Sequence, residues 1–182
     1  MILPPLRRTA ADARTVATVA HDGQVDKGGR PYIEHLARVA AGVLRLSEGC
    51  PFWSDLERDE ALQAAWLHDV VEDTRYGFGD LAKEGFSDNV LTSVAMLTKP
   101  GGRVTYAAWI NNIAKVGTLR ATLVKLADLE DNSDPGRLAL LPAETRERLH
   151  LKYEPAKAIL RAAAAAKGWL GSPTTVEGSG PR

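Results

Sequence analysis

The chain has 182 residues, 45% apolar and 25% charged, the proportions of a soluble globular domain with one hydrophobic core. Lys plus Arg and Asp plus Glu both total 23, which excludes a global positive field of the kind that draws nucleic acid or an anionic membrane. Cys50 is the only cysteine, so an intrachain disulfide and a thiolate zinc cluster are excluded; with no apolar stretch in MILPPLRRTA and no run of about 18 apolar residues, a cytoplasmic protein is expected.

Apolar residues recur at helical spacing from residue 9 to about 165 and alternating strand patterns are scarce, so an all-α fold is expected. A first helix is expected from near Thr9 to about Ala20, followed by the glycine-rich loop HDGQVDKGGRP at 21–31. Pro31 suits the first turn of a second helix, which presents Ile33, Leu36, Val39, Ala40, Val43 and Leu44 on one face and stops before SEGCP. A third is expected from about Leu56 to Asp73, closed by Thr74 and Gly77. A short helix in GDLAKEGF follows, then one from an N-cap at Ser87 to about Thr98 and a break at KPGGR. VTYAAWINNIA and TLRATLVKLADLEDN read as two more helices. The last helical stretch, 142–167, carries Pro155, which kinks one helix or starts a second. A single domain over 1–170 is expected, with a disordered tail over 171–182 on composition.

The segment WLHDVVEDT sets His68, Asp69, Glu72 and Asp73 into otherwise apolar surroundings. At about 100° per residue they fall within roughly 140° of one helix face, and three carboxylates on a buried face require a cation. In VKLADLEDN, Asp128, Asp131 and Asn132 share a second face, which a solvated acidic surface around Glu130 would also explain. His35 lies in the helix after the glycine loop; taken singly, such a histidine is more often a core or capping residue. Together His35, His68, Asp69 and Asp128 could supply two imidazoles and two carboxylates, a set that suits Mn²⁺, Fe²⁺, Co²⁺ or Zn²⁺ without choosing among them.

The order H…HD…D resembles the metal pattern of HD domains. The segments AHDGQVDKGGRPYIEH, AAWLHDVVEDT, LTK and VKLADLEDN are similar, in order, to the hydrolase domain of RelA/SpoT homologues, especially the stand-alone small alarmone hydrolases. The resemblance implies an HD-domain helical bundle with His35, His68, Asp69 and Asp128 as ligands of Mn²⁺ and Glu72 with Asp73 as the catalytic pair. It implies removal of the 3′-pyrophosphate of ppGpp or pppGpp. Lys27, Arg30, Tyr106 and Asn132 are the expected substrate contacts, and Lys27 and Arg30 could equally be exposed loop charges.

Two departures stand out. Asp26 occupies a place where many relatives carry an arginine that stacks on guanine; aspartate cannot stack, and its charge opposes phosphate. Leu36 stands where proline is usual. Asp26 therefore supports an alternative substrate, a nucleoside monophosphate or NADPH, and a non-catalytic metal-binding helical module is a third possibility. The four tryptophans, Trp53, Trp66, Trp109 and Trp169, read as core. A small-molecule nucleotide is the expected partner, with no nucleic acid and no membrane, for a monomer or homodimer.

Overall fold

The computed structural model describes residues 7–26 and 28–171 and is all-α. Its helices are α1 Ala10–Ala20, α2 Tyr32–Ser47, α3 Asp55–Leu67, α4 Val70–Asp73, α5 Phe78–Lys83, α6 Asp88–Leu97, α7 Tyr106–Val116, α8 Leu119–Asn132, α9 Pro135–Leu138 and α10 Ala143–Ala166. Local chemistry sets most of the starts. Thr9 and Ser54 each accept an N–H from three residues on while Asp12 and Glu57 return the bond to the cap backbone. Ser87, Thr105 and Thr118 cap α6, α7 and α8 in the same way without the return bond. The glycine loop is closed by one isolated antiparallel bridge, Val25 to Pro31, in which Tyr32 N–H donates to the Gln24 carbonyl at 2.9 Å.

α2 and α8 form the central pair, α3 packs on α2 and α1, and α10 covers α7 and α8. Their apolar faces make two cores. One gathers Val43, Leu46, Leu97, Ile110, Leu123, Leu126 and Leu160, and the other Ala13, Ala17, Leu36, Leu67, Val70, Leu81 and Val90. α2 meets α8 closely because Gly42 lacks a side chain: a Cβ there would stand 3.1 Å from the Cβ of Ala127.

Two expectations need correction, an open one is settled, and one element is new. The helix expected over 56–73 is two, because the chain turns at His68 and Asp69; the His68 ring takes the Ala65 carbonyl at 2.7 Å, and α4 restarts with Asp73 N–H donating to the Asp69 carbonyl at 2.8 Å. Leu44 is 55% exposed and Leu46 is buried instead. On a wheel of about 100° per residue, Leu44 lies beyond the arc of Leu36, Val39, Val43 and Leu46. Pro155 sits inside one continuous α10. The carbonyl its missing N–H would have met belongs to Leu151, which is 68% exposed, and buried Leu149, Tyr153, Ala156 and Leu160 hold both halves to the core. α9, unanticipated, follows Asp134, whose side chain accepts the Arg137 N–H at 2.9 Å. The tail expected to be disordered lies outside the described residues apart from Gly171. Among the described residues, no helix is long and apolar enough to cross a membrane.

Candidate active site

α2, α8 and the α3–α4 turn bring the expected metal set together. His35 Nε2 lies 3.4 Å from Asp128 Oδ1 and 3.7 Å from Asp69 Oδ2; His68 Nε2 lies 3.8 Å and 3.0 Å from the same two oxygens. Donors held about 2.0–2.2 Å from one ion in tetrahedral or octahedral array lie about 3.0–3.6 Å apart, so these spacings fit a divalent ion. Donor atoms of His35, His68 and Asp128 all fall within 4.8 Å of one another, and all three residues are buried.

The imidazoles are oriented for this role. His68 Nδ1 faces the Ala65 carbonyl, where only an N–H is accepted, and its Nε2 is buried without a hydrogen-bond partner. His35 Nδ1 lies 2.7 Å from Asp131 Oδ2, the carboxylate–histidine arrangement that fixes a ligand's tautomer. Both Nε2 atoms are thereby left to face Asp69 and Asp128. Without an ion, burial opposes charge on the histidines, but the two carboxylates outweigh it: His35 is raised, and His68 is pushed up to about 9. Burial likewise works against Asp69 and Asp128, yet the histidines and, for Asp128, Lys125 hold both below the usual carboxylate range.

A cleft of about 540 Å³ opens over this cluster, lined by Tyr32, Glu72, Asp73, Lys99, Tyr106, Trp109, Lys125, Asn132, Arg137, Lys152 and Tyr153 among others. Glu72 Oε2 accepts the Lys99 backbone N–H at 2.9 Å, which ties α4 to the segment after α6. Tyr32 Oη donates to Asp69 Oδ2 at 2.6 Å and reaches Asp73 Oδ2 at 3.3 Å. Burial and the neighbouring Asp69 charge raise the pKa of Asp73. Asn132 Nδ2 donates to Asp128 Oδ1 at 2.5 Å, and Tyr106 lines the cleft with a buried hydroxyl that has no partner.

Other expected contacts fall differently. Lys27 lies outside the described residues. Arg30 pairs with Glu34 at 2.6 Å and lines a neighbouring cavity of about 1000 Å³ rather than this cleft. Asp26 does not turn a bare charge on the cleft. Its Oδ1 accepts the N–H groups of Gly28 at 2.8 Å and Arg30 at 3.1 Å, and its Oδ2 meets Arg137 at 3.1 Å. Of the tryptophans, Trp53, Trp66 and Trp169 pack against the core as expected, whereas Trp109 is buried and also walls the cleft, with Lys125 Nζ 4.3 Å from its ring centre.

Residue pattern alone missed Tyr32, Lys99, Lys125, Arg137, Lys152 and Tyr153. Lys125 was within reach of it, three residues before Asp128 on one helix and 2.7 Å from it through Nζ. Arg137 was not, because a turn beyond α8 returns it to the site.

Fold and site together define a helical domain that gathers two histidines and two aspartates at one place, and the chain belongs to the HD domain family, which residues 32–133 match. Among characterised relatives it is 36% identical over 125 residues to the guanosine-3′,5′-bis(diphosphate) 3′-pyrophosphohydrolase of Haemophilus influenzae, covering 64% of this chain and 17% of that protein. It is 34% identical over 129 residues to the bifunctional (p)ppGpp synthase/hydrolase SpoT of Escherichia coli K12, covering 66% and 17%. The chain therefore spans only a small part of these curated relatives. A solved structure described as "A metazoan ortholog of SpoT hydrolyzes ppGpp and plays a role in starvation responses" superposes with a TM-score of 0.61 at 26% identity, over 93% of this chain and 100% of that one.

Proposed function

We propose that this chain is a metal-dependent nucleotide hydrolase that removes the 3′-pyrophosphate of (p)ppGpp, with His35, His68, Asp69 and Asp128 holding Mn²⁺. The observation that carries the reading is that His35, Asp69 and Asp128 line one cleft with Glu72 and Asp73, while buried His68 turns its Nε2 toward Asp69 and Asp128. The relatives named for this activity add support. A purely structural metal site has no use for two further carboxylates.

When bound, a divalent ion supplies Lewis acidity and neutralises phosphate charge. Glu72, anchored by the Lys99 N–H, takes the proton of the attacking water. Asp73, whose pKa is raised, returns a proton to the 3′-oxygen as its bond to phosphorus breaks and pyrophosphate departs. Lys99, Lys125, Lys152 and Arg137 set cations among the carboxylates of the cleft, and Tyr106 and Asn132 line the nucleotide's path. Arg30 belongs to the adjoining loop. One domain over 1–170, working in the cytoplasm as a monomer or homodimer, completes this reading.

Asp26 favours a second reading with the same centre, a phosphatase acting on NADPH or a nucleoside monophosphate, since no arginine is available there to stack on guanine. Chelator-stripped protein incubated with Mn²⁺ and each of ppGpp, NADPH and nucleoside monophosphates separates the two. The expected result is pyrophosphate from ppGpp; orthophosphate from another member moves the substrate, and silence across the panel leaves the centre non-catalytic.

A further inference from the structure

A chain of charges joins the glycine loop to His35. Asp26 Oδ2 meets Arg137 Nη2 at 3.1 Å and lies 3.7 Å from Arg38 Nη2. Both arginines continue to Asp131: Arg38 Nε donates to Oδ1 at 2.5 Å, and Arg137 Nη1 donates to Oδ2. That same Oδ2 faces His35 Nδ1. The side chains of Asp26 and Asp131 are 5% and 7% exposed, so each carboxylate is covered by the groups that pair with it. Two covered carboxylates thus share two arginines, of which Arg38 also reaches Glu34 at 3.9 Å.

We propose that Asp26 is a positioning residue for the metal centre: by dividing the pull of Arg137 and Arg38 it sets the Asp131 carboxylate, and through it the direction in which His35 Nε2 faces the ion. The inference rests on the metal-binding reading above. Without the Asp26 charge, Arg137 is left to Asp131 alone and Arg38 to Asp131 and to Glu34, 3.9 Å from its Nη1, so Asp131 is drawn toward them and its bond to the His35 N–H loosens. Asp26 then acts on the metal side of the cleft rather than on the substrate. The rival role is local. Asp26 Oδ1 closes the loop through Gly28 and Arg30, and Gly29, at φ 78°, completes that turn.

Asp26→Asn separates the two roles, because an amide oxygen still accepts the loop N–H groups while the charge is gone. Chelator-stripped full chain is titrated with MnCl₂ by calorimetry and with CoCl₂ by visible absorption, which reads ligand geometry. Removing an outer-shell partner weakens metal binding about 10- to 100-fold, the expectation for Asp131→Asn, and Asp26→Asn, one step further out, should cost about 3- to 10-fold. The Co²⁺ bands should shift in both. The double variant should bind no more weakly than Asp131→Asn, because the effect runs through Asp131, and Asp26→Glu should recover part of the affinity. Arg137→Lys tests the same relay, in the same direction, if Asp26→Asn does not fold.

Wild-type affinity and an unshifted Co²⁺ spectrum in Asp26→Asn overturn the relay, whatever happens to the metal-free melting temperature. Additive losses in the double variant overturn it too. Wild-type protein that takes up neither ion overturns the metal reading itself, and the relay with it.

Discussion

Asp69, Asp128 and Asp131 are carboxylates in a protein interior, and each is held by an imidazole or a cation, which is the condition for burying them at all. Glu72 and Asp73 are exposed to the cleft and are not spent on such pairing. Replacing Glu72 with Gln should lower turnover of ppGpp about 10²- to 10⁴-fold while Mn²⁺ uptake stays unchanged. Steady-state rates beside a metal titration check this, and turnover near wild type would remove Glu72 from the mechanism. His68 sets a pH dependence. Its pKa of about 9 in the metal-free protein lies above the ordinary 6.5, so the stability its proton contributes is complete below pH 6.5 and is lost as the pH rises through about 9. An ion competes with that proton for Nε2. Across this window the melting temperature of stripped protein should fall, while apparent Mn²⁺ affinity rises by up to about tenfold per pH unit for each proton displaced. Calorimetry at several pH values decides it; a flat affinity would mean that the ion does not take His68.

α2 and α8 carry His35 and Asp128 on facing sides, so their separation sets the ligand spacing. Gly42→Val adds a branched side chain where a Cβ already stands 3.1 Å from Ala127 Cβ. Such overpacking typically costs about 1–3 kcal/mol, and moving the helices apart should weaken Mn²⁺ binding as well. Urea unfolding and metal titration on the same variant measure both effects, and no change in either would show that the contact is slack. Ser54→Ala removes a capping box at the far end of α3 from His68, so it should cost about 1 kcal/mol with metal affinity unchanged. These elements were largely legible because caps and apolar period are local properties: Thr9, Ser87, Thr105 and Thr118 stand at observed starts. The turn at His68 was not. AAWLHDVVED carries no glycine or proline to stop a helix, and α3 ends where the His68 imidazole donates to the Ala65 carbonyl three residues back and turns its Nε2 to the site.

For the molecule as a whole, an ion that binds only the folded state stabilises it by RT ln(1 + [L]/Kd), about 2.7 kcal/mol at a hundredfold excess over Kd. In a domain of this size that is a rise of about 5–10 °C in melting temperature on adding Mn²⁺ to stripped protein, reversed by chelator. A melting curve indifferent to both would count against the centre. The residues that could ligate an ion were readable from the chain, since His35, His68, Asp69 and Asp128 are the chemical types a divalent ion takes and they lie in segments otherwise headed for the core. So was the helical class, because a 3.6-residue period is written in the order of residues. The sequence by itself thus determined the chemistry available and the elements that carry it. Only the tertiary structure decided that Arg137 returns from beyond α8 to Asp26 and Asp131, that Arg30 faces a different cavity, and that Tyr32 and Lys125 brace the carboxylates of Asp69 and Asp128. Such pairings join residues as far apart as 26 and 137, and no local period or propensity encodes them: they follow from how α2, α3 and α8 pack and from the need of each buried charge for a partner.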